Sequence, residues 1–170
     1  ADAYLDWGYG GNKRNCERIF ETSDRKNWTI LRPCHITGPG SRLGCLPLHG
    51  RDPELIETIK KGEPLTLAGG GVFLQQPIFF FFFADTILSI PGNPGTLRTI
   101  MNTVGPEIIE SKKYYQIIGE ILGVDVTIEE ASIAGILADK PESATFLCHR
   151  IYDMSRLAES GASVPESRVR

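Results

Sequence analysis

The chain has 170 residues, 41% of them hydrophobic and 23% charged, with a formal net charge of −3. That apolar content is enough for one folded core and excludes an intrinsically disordered chain. The slight acidity and the lack of any basic run longer than two residues argue against nucleic-acid binding, and the apolar block Ile78 to Ala84 is far short of the ~20 residues a membrane-spanning helix needs.

Between Asn12 and Glu21, Cys16, Ile19 and Phe20 recur at helical spacing among charged residues, which predicts a helix broken at Ser23-Asp24. Trp28 to Leu31 is a short β-rich run ended by Arg32-Pro33, and Gly38-Pro39-Gly40 then makes a turn or loop. Asp52-Pro53 opens the next helix with a capping-type residue and a proline whose missing N–H is harmless in the first turn. Leu55, Ile56 and Ile59 form its apolar stripe and Gly62 ends it. Leu65 to Leu67 and Leu74 to Phe83 read as strands separated by Gly69-Gly70-Gly71, with the five-phenylalanine run as buried strand. Ala84 to Ile90 reads as a short helix stopped by Pro91 and Gly92.

Thr99 to Val104 is another β-like run. Ser111 to Leu122 is the clearest helix, with Tyr115, Ile118 and Leu122 on one face and Gly123 placed as a left-handed cap. Val124 to Ile128 alternates as a strand, and Ser132 to Ala138 and Ser155 to Ser160 predict two more helices, the last closed by Gly161. Helices and strands mix throughout, so the fold class is α/β or α+β.

Cys16, Cys34, Cys45 and Cys148 lie far apart without a Cys-x-x-Cys pair and read as reduced thiols of a cytoplasmic protein. His35 and His49 flank Cys45 at a spacing that matches no zinc pattern, so no metal is expected. Tyr9 and Lys13 are four residues apart, which on a helix puts them on one face a turn apart. An ammonium within about 4 to 6 Å of a phenol favours phenolate and makes a tyrosine usable as acid or base, while its three donors can also hold ribose hydroxyls. Gly10 and Gly11 between them leave room for a flat ligand or mark a fraying helix end.

Tyr9-Gly10-Gly11-Asn12-Lys13 with Glu17, the run from Leu31-Arg32-Pro33 to Gly38-Pro39-Gly40, the segments Pro47 to Gly62 and Leu65 to Gly71, and Asn102-Thr103-Val104-Gly105 follow one another in a recognisable order. Arg150, Asp153, Ser155, Leu157, Gly161 and Pro165 close it. In this order the chain resembles the C-terminal half of an extended short-chain dehydrogenase/reductase, the NAD-dependent epimerase/dehydratase family. The resemblance implies an α/β fold: residues 1–40 and 72–104 as part of a Rossmann-like parallel sheet, residues 41–71 and 105–170 as a small substrate-binding lobe. It implies that Tyr9 carries the proton during hydride transfer, that Lys13 activates it and binds the nicotinamide ribose of NAD or NADP, and that Pro33, Cys34, His35 and Ile36 line the nicotinamide. Arg150 becomes the candidate for the phosphate of a nucleotide-sugar, with an ion pair to Asp153 as its structural alternative, and His49, Arg51 and Gln75 the candidates for other substrate contacts. A homodimer paired through the helix of Tyr9 and Lys13 is a further implication.

The family's Gly-rich phosphate loop belongs before Tyr9, so the chain by itself is expected to be inactive and to bind the cofactor weakly or not at all. Gln75 stands where that family often has a phosphate-binding Arg. Phe81 and Phe82 stand where it has acids opening a helix, so that helix is expected to lack its N-terminal stabilisation. These departures motivate an alternative, a non-catalytic scaffold that binds protein or RNA.

Overall fold

The computed structural model describes residues 8–166. Their contacts divide them into two compact units, one of 8–36, 77–106 and 152–166, the other of 37–76 and 107–151. Compared with the expected division, residues 37–40 and 72–76 fall in the second unit and residues 105–106 and 152–166 in the first.

In the first unit, α1 (Gly8–Thr22) leads to β1 (Thr29–Pro33), and β6 (Thr99–Thr103) pairs with β1 in parallel, Thr29 opposite Thr99 and Pro33 opposite Thr103. α1 begins ahead of the expected Asn12 and runs through both glycines. Arg98 feeds the pair by donating its amide to the Trp28 carbonyl at 2.7 Å. α6 (Ser155–Glu159) explains the altered division: its Leu157, fully buried, joins Met101 of β6 and Ala162 in one apolar cluster. Asn93 ties the same C-terminal segment down, donating to the Ser160 carbonyl at 3.1 Å.

The phenylalanine run is not a buried strand. The expected strand from Leu74 to Phe83 divides into β4 (Leu74–Gln75), β5 (Ile78–Phe79) and the start of α3 (Phe80–Leu88), while β2 (Ile36–Thr37) lies earlier in the chain. Pro77, which has no N–H to give a ladder, interrupts the strand, and Phe79 takes the extended conformation of a residue just before a helix. Thr86 then anchors the helix inside the unit, donating to the Ser163 carbonyl at 2.9 Å. Phe79, Phe80 and Phe81 are left 41%, 48% and 57% exposed. As expected from the absent acids, α3 has neither a side-chain cap nor an acidic residue in its first turn.

In the second unit, α2 (Leu55–Lys60) and β3 (Leu65–Ala68) are followed by β7 (Ile109–Glu110), α4 (Ser111–Leu122), β8 (Ile128–Ala131) and α5 (Ile133–Asp139). β3 and β8 run parallel, Leu65 opposite Ile128, and β4 and β7 antiparallel, Gln75 opposite Ile109. The core collects Cys45, Leu55, Ile59, Leu65, Leu67, Tyr115 and Ile118. Gly123 ends α4 in the left-handed region at φ 71°, and the Val124 amide closes the helix on the Gly119 carbonyl at 3.0 Å. The strand expected from Val124 to Ile128 starts only at Ile128. Asp52, expected to cap α2, accepts instead from the Glu54 amide at 2.9 Å in the turn before it.

Candidate functional site

α1 brings Tyr9 and Lys13 together. Lys13 Nζ stands 5.4 Å from the Tyr9 ring centroid, and the ring is 61% exposed, open to a ligand. A Cβ added at Gly11 would meet only Arg14 Nη2 at 4.0 Å, so no packing among the described residues requires that glycine. Glu17 lies two turns and more along the same helix and takes Arg32 of β1 in a two-bond fork at 2.7 and 2.5 Å, tying the helix of Tyr9 to the strand that ends at Pro33.

Beyond β1, Cys34 is half-buried, and burial pushes its thiol above the ordinary value against hydrogen bonds from the backbone of Gly105 and its neighbours. The His35 carbonyl accepts from the Ile78 amide at 3.0 Å, while Pro33 and Ile36 are exposed. Opposite Pro33, at the carboxyl end of β6, Thr103 is fully buried and its hydroxyl finds no hydrogen-bond partner among the described residues. Buried polar groups are almost always paired, so this strand end is chemically suited to a polar ligand, and open parallel sheets bind ligands at such ends. The exposed Tyr9 with the Lys13 ammonium beside it, and the exposed Pro33 and Ile36, are compatible in chemistry with the nicotinamide end of a dinucleotide.

The second unit holds the other candidates. His49 engages both ring nitrogens inside the unit, Nδ1 with Asp52 Oδ2 and Nε2 with the Thr66 carbonyl, each at 3.0 Å. The first of these bonds holds the Asp52 carboxyl below its ordinary range. Arg51 is exposed, in the left-handed region at φ 57°. Gln75 is buried and donates its amide to Cys45 Sγ at 2.9 Å and to Ser111 Oγ at 3.2 Å. Arg150 donates from Nη2 to the Leu46 carbonyl at 3.2 Å, and its Nε is buried without a partner among the described residues. The alternative partner, Asp153, accepts instead from the amide and hydroxyl of Ser155 at 2.8 and 2.9 Å.

Cys45, read from the sequence as an ordinary reduced thiol, is the unforeseen centre of this cluster. Its sulfur takes hydrogen bonds from Gln75 and Tyr115 and lies near the Arg150 cation, yet burial outweighs them and raises the thiol above its ordinary value. All four cysteines are free thiols. Only the apolar spacing of Tyr115 was visible beforehand; that its hydroxyl reaches a residue 70 positions away was not. Among the described residues no cluster of three or more potential metal ligands occurs, and no helix is long and apolar enough to cross a membrane.

No protein-family model and no curated protein matches the chain. Solved structures do. UDP-glucose 4-epimerase from Thermotoga maritima, solved with UDP-glucose, is 16% identical with a TM-score of 0.67, covering 94% of this chain and 48% of that one. The enzyme WbmG of Bordetella bronchiseptica, in complex with NAD and UDP, is 19% identical at TM-score 0.67, covering 94% and 46%. dTDP-glucose 4,6-dehydratase DesIV from Streptomyces venezuelae, with NAD bound, is 15% identical at TM-score 0.67, covering 94% and 46%.

The chain thus has a Rossmann-like α/β fold, shared with these structures. More narrowly, it resembles NAD-dependent epimerases and dehydratases in fold, and it spans about half the length of the structures it matches.

Proposed function

We propose that this chain is the part of a cytoplasmic NAD-dependent epimerase or dehydratase that supplies the proton-transfer pair and the sugar-binding lobe, acting on a nucleotide-linked sugar. The observation that carries the reading is the Tyr9–Lys13 pair, exposed on a helix tied through Glu17 and Arg32 to a strand with a parallel partner. Tyr9 Oη, as phenolate, takes the proton of a sugar hydroxyl and, as phenol, returns it, and the neighbouring ammonium stabilises the phenolate form. The three donors of Lys13 hold ribose hydroxyls, and the backbone from Pro33 to Ile36 borders the nicotinamide. NAD or NADP, when bound, supplies hydride acceptance and return.

In the lobe, Arg150 is the phosphate ligand: its guanidinium fork matches an oxyanion, and its Nε has no partner among the described residues. Exposed Arg51 is the second contact. His49 and Gln75 serve the lobe from inside, since both spend their polar atoms on neighbouring residues. Pairing of two copies through α1, which buries none of its own residues, belongs to the same reading.

Calorimetric titration of NAD and UDP-glucose tests it, on the chain by itself and on the chain joined to the sequence encoded upstream of it. Binding in the longer chain, with turnover lost in Tyr9→Phe, is the expected result. A folded longer chain that binds neither ligand overturns the oxidoreductase reading and favours a non-catalytic scaffold.

A further inference from the structure

The loop ahead of α2 is fastened to α4 by two adjacent phenols. The Gly44 amide donates to Tyr114 Oη at 3.3 Å and the Cys45 amide to Tyr115 Oη at 2.8 Å. Both amides belong to buried residues, so without these acceptors two backbone donors would be stranded away from water. Burial raises both phenols, Tyr114 to about 12 and Tyr115 further, which keeps them neutral. The Tyr115 ring, fully buried, also meets the His49 ring edge-on, centroids 5.9 Å apart. The loop also passes close to the His49 backbone: a Cβ at Gly44 would lie 1.7 Å from the His49 carbonyl oxygen, so only glycine fits there.

The next residue along, Leu46, gives its carbonyl to Arg150 Nη2 at 3.2 Å. The path of the loop therefore sets where the guanidinium stands, and the two phenols set the path of the loop.

We propose that Tyr114 and Tyr115 are positioning residues, holding the Gly44–Leu46 backbone so that the Leu46 carbonyl aims the Arg150 guanidinium at its ligand. The ligand part of this statement rests on the reading of Arg150 as a phosphate contact; the clamp itself does not.

The test is amide hydrogen exchange and side-chain NMR on the full chain carrying Tyr115→Phe, which keeps the ring and removes the hydroxyl. Ile118→Val is the control, thinning the same core while leaving both phenol hydroxyls in place. In Tyr115→Phe the Cys45 amide exchanges roughly tenfold faster, as loss of one buried hydrogen bond requires, and the Arg150 Nε–H resonance moves. In Ile118→Val the thermal midpoint falls while the Arg150 resonance stays. Unchanged Cys45 protection and an unmoved Arg150 resonance in a folded Tyr115→Phe overturn the proposal. If Tyr115→Phe fails to fold, Tyr114→Phe read at the Gly44 amide decides in the same way. Titration with uridine diphosphate separates the two readings: an Arg150 resonance indifferent to it in the unaltered chain counts against the phosphate contact, while the exchange data decide the clamp.

Discussion

Glu17 of α1 and Arg32 of β1 face each other as carboxylate and guanidinium in a planar fork, Nε to Oε1 at 2.7 Å and Nη2 to Oε2 at 2.5 Å. The fork spans 15 residues and fixes the helix bearing Tyr9 against the strand. Arg32→Lys keeps the charge and loses the two-bond geometry, so it is expected to cost about 1 kcal/mol or less, because the Arg32 side chain is 52% exposed to screening solvent. The Arg32 bond lowers the Glu17 carboxyl below its ordinary 4.5. Because the folded value is the lower one, the contribution is complete above the unfolded value and is lost as pH falls through the folded value. Chemical denaturation between pH 7 and pH 3 should show a loss of stability below about 4.5 that is smaller in Glu17→Gln; equal acid sensitivity of the two proteins would refute it.

α3 starts with four phenylalanines and no cap. Phe81→Asp places a carboxylate in the first turn at a position already 57% exposed, where it interacts with the unpaired amides and the positive end of the helix. A gain of about 0.3 to 1 kcal/mol and lower light scattering on heating are expected. A fall in thermal midpoint would mean that the Phe81 ring, 5.3 Å from Phe80, contributes more than its exposure suggests.

Leu157 is fully buried against Met101 and Ala162. Leu157→Ala removes its side chain from that cluster and is expected to destabilise the first unit by about 2 to 5 kcal/mol. Hydrogen exchange should report the loss at the β6 amides; a change under 1 kcal/mol would show that α6 is not part of this core (roughly the cost of a well-tolerated volume-conserving swap).

Two glycines with positive φ should respond differently to alanine. Gly123 has open space around an added Cβ, so Gly123→Ala carries only the left-handed backbone cost of about 1 kcal/mol. Gly44, at φ 114°, has the His49 carbonyl in the way, so Gly44→Ala must displace the loop and should release the Cys45 amide to exchange. Equal thermal midpoints for the two variants would contradict the close approach.

Much of the local structure was legible beforehand because its signals are local. The stripe of Tyr115, Ile118 and Leu122 with Gly123 behind it marks α4 from Ser111 to Leu122, the bounds it takes. The helix expected from Ser132 to Ala138 is there as α5, with Ser132 as its cap, accepting from the Gly135 amide. The Phe run misled because aromatic residues favour strands and no acid marks the start of a helix, so the interruption at Pro77 and the anchoring of Thr86 outweigh the propensity of the phenylalanines.

The sequence by itself determined the spacing that sets Tyr9 above Lys13, since a helix repeats every 3.6 residues wherever it lies. Its ordered motifs also pointed to the α/β fold. Only the tertiary structure decided that β1 takes β6 as its parallel partner, that Arg150 reaches Leu46 across 104 residues, and that Tyr115 turns its hydroxyl to Cys45. Those pairings depend on burial and on satisfying backbone donors at long range, and no periodicity in a linear sequence encodes which distant amide a buried phenol will meet.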